Sequence, residues 1–131
     1  MNEQQVANFE KDIVGCVHKV PDKTYWGFEV PNRSWHPGVC YNFSAETKKA
    51  ELLKGTSRQP ASKYASAFFP VDVDDSNGLE ERTYFCLRSR TPFRSRKIQL
   101  LHHDAWLGRL KPAQLVALQQ EMRRLYGNRA E

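Results

Sequence analysis

A chain of 131 residues with 40% hydrophobic content has the size of one domain built on one compact core, and a second independent unit is not expected. Its longest apolar runs, such as Ala65 to Val71 with Ser66 and Pro70 inside it, fall well short of the roughly 20 residues of a membrane-spanning helix, so no membrane partner is expected. Lys and Arg number 20 against 15 Asp and Glu, and the net charge of +5 points to a partner carrying phosphates or acidic side chains.

Met1 to Glu10 is polar and lacks the basic start, apolar middle and small-residue cleavage site of a secretory signal, which predicts a cytoplasmic chain. The pattern divides the single domain, 1–131, into a polar lead-in over 1–11 and a folded body over 12–126. Asp12 to Val20 (DIVGCVHKV) reads as a first strand with Gly15 marking a bulge, and Tyr25 to Val30 (YWGFEV) as a second, aromatic strand. Residues 31–34 form a turn or loop. Strands are then predicted over Pro37 to Phe43, Ala50 to Gly55, Ser66 to Val73, Thr83 to Leu87 and Lys97 to Leu101, with a turn at Ser76, Asn77 and Gly78. From Pro112 the period changes. Leu115, Leu118, Met122 and Leu125 recur at helical spacing, Arg123 and Arg124 suit the negative end, and Gly127 is the stop. Strands followed by one closing helix predict a mainly β domain, either a small SH3-like barrel or a strongly curved antiparallel sheet.

Cys16, Cys40 and Cys86 are far apart, odd in number and set in apolar stretches, so they read as reduced core residues. Charge is segregated further along. Asp72, Asp74, Asp75, Glu80 and Glu81 occur without a base over 71–81, and Arg82, Arg88, Arg90, Arg94, Arg96 and Lys97 without an acid over 82–97. Two solvated faces joined by surface ion pairs explain this pattern, and so does an arginine-rich stripe for a phosphate backbone, which the acidic segment would mask.

Two polar loops flank the strands at 37–43 and 50–55: Asn32, Arg33, Ser34, Trp35 and His36 at one, Lys54, Gly55, Thr56, Ser57 and Arg58 at the other. If the strands are neighbours, the loops share a face. His36-Pro37 opening an apolar strand (HPGVCY), a strand ending LLKGTS, the later TYFCL and the final GRLKPAQLVALQQEMRRL together resemble the PemK/MazF-like toxin family over about Asp12 to Tyr126. The resemblance implies an SH3-like barrel, usually a homodimer, that cuts single-stranded RNA without a metal or other cofactor and is silenced by a cognate antitoxin. In better-known members an arginine stands before the proline and works with a threonine at the end of a following strand. Thr56 matches the threonine, and His36 takes the place of the arginine.

Metal-free RNA cleavage needs a base for the 2′-hydroxyl, an acid for the leaving 5′-oxygen, and donors for the phosphate charge. Histidine serves as acid or base near neutral pH. The candidate catalytic residues are therefore His36, Thr56 and Arg33, with Ser57, Arg58, Lys54, Trp35, Arg88 and Arg90 as RNA contacts. Without the resemblance, the same residues read as a loop histidine, turn-capping hydroxyls and edge packing. His102, His103 and Asp104 read as a polar segment, because adjacent strand histidines point to opposite faces and do not share one ion. Two further readings remain, a non-catalytic nucleic-acid-binding barrel and a module docking an acidic protein.

Overall fold

The computed structural model describes residues 3–22, 25, 34–94 and 105–127. In chain order these form helix α1 (Glu3–Asp12), strands β1 (Cys16–Pro21), β2 (Trp35–Ser44) and β3 (Lys49–Thr56), a 3-10 turn over Ser62–Ala67, strands β4 (Phe68–Val71), β5 (Thr83–Cys86), β6 (Thr91–Arg94) and β7 (Trp106–Arg109), and helix α2 (Pro112–Tyr126). The fold is mainly β, a curled antiparallel half-barrel closed by the C-terminal helix, as the strand and helix patterning predicted.

The strands lie in the order β4-β5-β3-β2-β1-β7, and β6 joins the same sheet alongside β3. β3 changes neighbour along its length, pairing with β6 over Lys49 to Leu52 and with β5 at Gly55 and Thr56. At the changeover the Lys54 N–H donates to Ser89 Oγ at 2.9 Å, so the half-buried backbone donor is satisfied by a side chain.

Side-chain alternation gives the sheet two apolar faces. Val17, Val39, Leu53 and Phe85 pack with Leu118 and Met122 of α2 on one face, while Val20, Cys40, Ala50 and Leu52 pack with Ile13 on the other. Helix α2 is fixed at both ends. Pro112 opens it, Gly127 at φ 65° closes it by donating to the Arg123 carbonyl, and Tyr126 Oη donates to the Leu87 carbonyl at 3.0 Å.

Several expectations need correction. The stretch taken as a polar lead-in is helical from Glu3, since Glu, Gln, Ala and Lys favour helix and nothing before Gly15 breaks it. Gly15 is the helix-to-strand turn: its φ is +95° and its N–H donates to the Cys40 carbonyl. The register irregularity of β1 falls at Val17 and His18, opposite β7. Of the stretch predicted as a strand over 66–73, only Phe68–Val71 is one, because the 3-10 turn occupies its start. Trp106–Arg109, which the patterning assigned to no strand, is strand β7, with Gly108 pressed so closely on Ser76 that an added Cβ would lie 2.3 Å from its carbonyl oxygen. The strands predicted over 97–101 and, apart from Tyr25, over 25–30 lie outside the described residues, as do His102, His103 and Asp104. Cys16 and Cys40 are buried and Cys86 half-buried, all as free thiols, and burial pushes the first two up in pKa.

Candidate functional site

The site begins where β1 ends. β1 and β2 are antiparallel with Val20 opposite His36 and Pro21 opposite Trp35, and one residue on, the Asp22 N–H donates to the Ser34 carbonyl at 2.9 Å. This places the Asp22 carboxylate against the first residues of β2. Only 7% exposed, it accepts from the Ser34 hydroxyl through Oδ2, and its Oδ1 lies 2.5 Å from His36 Nδ1. Burial by itself would raise the Asp22 carboxyl. The hydrogen bonds from Ser34 and His36, with the charges of His36 and Lys54, outweigh it and hold the group below the usual carboxylate range.

An ionised Asp22 fixes the Nδ1–H tautomer of a neutral His36 and leaves Nε2 as the basic nitrogen, assigned from the hydrogen bonding. The imidazole is 31% exposed, and no hydrogen bond to Nε2 is made among the described residues. Tyr25 braces the strand from the same side, its hydroxyl donating to the His36 carbonyl at 3.1 Å. The Tyr25 hydroxyl passes so close over Gly38 that a Cβ there would lie 2.6 Å from it, which explains why the residue facing Lys54 across the ladder has no side chain. Lys54 Nζ lies 5.8 Å from the Tyr25 ring centroid.

Strand alternation decides what else shares this face. Gly38 is opposite Lys54, and continuing the register by two residues brings His36 opposite Thr56, so His36, Lys54 and Thr56 project to one side. Trp35, Pro37 and Lys19 project to the other, where they line an open cleft of about 330 Å³ with Leu79, Glu80, Glu81, Thr83 and Leu107. His36, Thr56 and Ser57 also border that cleft, so they stand on the ridge between the two faces. Lys19 Nζ lies 4.6 Å over the Trp35 ring, which is 38% exposed.

Among the predicted site residues, His36, Thr56, Ser57 and Trp35 are thus brought together, with Lys54 beside Asp22. Thr56 Oγ1 accepts from the Arg58 N–H at 3.2 Å, the turn-capping role its position suggested, yet its own hydroxyl proton remains for donation. Arg58 is exposed just beyond. Arg33 lies outside the described residues. Arg88 and Arg90 are not among the residues bordering the cleft, and Arg90 stacks its guanidinium 3.8 Å over Tyr126. The segregated charges are partly cross-neutralised: Arg82 pairs with Asp72 at 2.8 Å and Lys111 with Asp75 at 3.2 Å, both exposed. Arg96 and Lys97 lie outside the described residues.

Sequence reasoning missed Asp22, Ser34, Tyr25, Lys19 and the cleft position of Glu80 and Glu81. A β1–β2 hairpin with Val20 facing His36 would have placed Asp22 beside the histidine. The aromatic run at 25–30, read as an intervening strand, hid that pairing. Among the described residues no three His, Cys, Asp or Glu side chains converge as metal ligands, and no helix is long and apolar enough to cross a membrane. No family model matches the chain and no curated protein matches it.

Proposed function

We propose that the protein is a metal-independent endoribonuclease acting on single-stranded RNA, with the Asp22–His36 pair as its acid–base centre. The observation that carries this reading is the 2.5 Å contact between Asp22 Oδ1 and His36 Nδ1, which directs the basic Nε2 away from the carboxylate. Nε2 removes the proton of a ribose 2′-hydroxyl, the 2′-oxygen attacks the adjacent phosphorus, and the 5′-oxygen leaves, giving a 2′,3′-cyclic phosphate. Lys54, on the same face, offsets the charge gathering on the phosphorane and supplies a proton to the leaving oxygen, while the Thr56 hydroxyl donates to a non-bridging oxygen. Asp22 touches neither the RNA nor the reacting atoms. It positions the imidazole through the contact at Nδ1.

Support beyond the pair comes from charge and from the resemblance. The net charge of +5 favours a polyanion, and where the resemblance leads one to expect an arginine the chain has histidine, a residue type suited to general acid–base chemistry. A homodimer silenced by a cognate antitoxin, as the family implies, belongs to the same proposal. The test uses paired substrates. In excess EDTA the protein is expected to cut mixed single-stranded RNA and to leave the same sequences intact when every ribose is 2′-deoxy or 2′-O-methyl. Salt-dependent binding with no cutting of either would favour the non-catalytic nucleic-acid-binding barrel and remove the enzyme.

A further inference from the structure

The cleft beside His36 contains a feature that phosphate binding does not use. Asp72 pairs with Arg82, Asp75 with Lys111, and Asp74 accepts from the Ser76 hydroxyl and from the N–H groups of Ser76 and Asn77. Glu80 and Glu81 border the cleft, are exposed, and make no side-chain hydrogen bond or ion pair among the described residues. Two such carboxylates repel a phosphate. They suit a ligand that brings N–H donors.

Across the same cleft stands Trp35, 38% exposed, with the Lys19 ammonium 4.6 Å from its ring centroid. An exposed indole is a stacking surface for an unpaired base, and a neighbouring ammonium suits the phosphate attached to that base. Pro37 and Leu107 add apolar wall, and about 330 Å³ lies at the small end of ligand pockets, matching one nucleotide rather than a run of them. A cationic peptide side chain is the poorer fit, since the Lys19 ammonium beside Trp35 repels a second cation.

Resting on the ribonuclease reading, we infer that this cleft is a base-recognition pocket for a single guanine next to the cut site. Guanine alone among the four RNA bases presents two adjacent donors, N1–H and the N2 amino group, on its Watson–Crick edge, and the two oxygens of one carboxylate match them. Adenine and cytosine set an acceptor nitrogen beside their amino group, and uracil flanks its one donor with two carbonyls, so each turns lone pairs toward the carboxylate. Trp35 stacks the base, Glu80 or Glu81 reads its edge, and the His36 ridge holds the adjoining phosphodiester.

The experiment measures binding, separately from cleavage, with the full chain carrying His36→Ala to prevent cutting. The probes are labelled five-residue RNAs, uridine throughout except for a central guanosine, adenosine, cytidine, uridine or inosine. The guanosine probe is expected to bind about tenfold tighter than the uridine one, and inosine, lacking the N2 amino group, to fall between them. The double variant Glu80→Gln, Glu81→Gln should bring all five probes to within about twofold, and Trp35→Ala should weaken all five together. Equal binding of the five probes by the His36→Ala chain, guanosine preference undiminished in the double variant, or uniformly tighter binding there, as an acidic mask would give, overturns the pocket. So does displacement of the guanosine probe by an arginine-containing peptide at lower concentration than by guanosine monophosphate. The two proposals fail separately: guanosine preference without cutting by the unsubstituted chain removes the enzyme and keeps the pocket, and cutting without preference does the reverse.

Discussion

At Asp22 a carboxylate that is 7% exposed accepts from a serine and a histidine at once, and its ionised form is the one the fold stabilises. Its carboxyl is held below the usual range, so the folded chain binds this proton less readily than the unfolded chain. The associated stability is therefore fully present above the unfolded value of about 4 and is lost as pH falls through the lower folded value. Urea midpoints measured from about pH 7 to pH 3 should fall more steeply at the acid end for the natural chain than for Asp22→Asn, and equal slopes would mean that Asp22 is not stabilised as an anion. His36 was readable because a His-Pro step opens an apolar strand before a downstream Gly-Thr-Ser. Asp22 was not, since its role exists only once β1 and β2 pair, and nothing local to Pro21-Asp22 marks it as more than the end of a strand.

The elements divide by the length of their signal. Helix α2 was readable nearly to the residue, because its 15 residues carry a repeated apolar spacing between a proline start and a glycine stop. β2 and β3 were readable in position, and their pairing brings His36 and Thr56 together. β7 was not, as 4 residues containing a glycine give no alternation to detect. Helix α1 was missed for a different reason: a polar stretch with good helix formers looks the same as a polar tail until something packs on it. Leu118, fully buried at 0% exposure between α2 and the sheet, supplies the element-scale prediction. Leu118→Ala should cost about 2–5 kcal/mol in urea unfolding, through lost burial and the cavity left behind. A cost near zero would show that α2 does not close the core.

For the whole molecule, the charge of +5 is distributed so that Arg58 and Lys54 stand near the His36 ridge while Arg82 and Arg90 are held by Asp72 and Tyr126. Binding of single-stranded RNA should weaken linearly on a log–log salt plot, by about 0.7 in slope for each phosphate contacted. Arg58→Ala should lower that slope by about that amount, and Arg90→Ala should leave it unchanged; the opposite pattern would move the RNA track to the arginine stripe. The most direct measurement of all is the cleavage rate of single-stranded RNA in excess EDTA by the natural chain, His36→Ala and Asp22→Asn, each first shown to be folded, with the new ends analysed. The expected result is 2′,3′-cyclic phosphate ends from the natural chain, a loss of about 10²–10⁴-fold in His36→Ala, and a smaller loss in Asp22→Asn, where the imidazole keeps its place but loses its anion. Intact RNA from the natural chain, or an undiminished rate in His36→Ala, would contradict the assignment of this histidine as the acid–base centre.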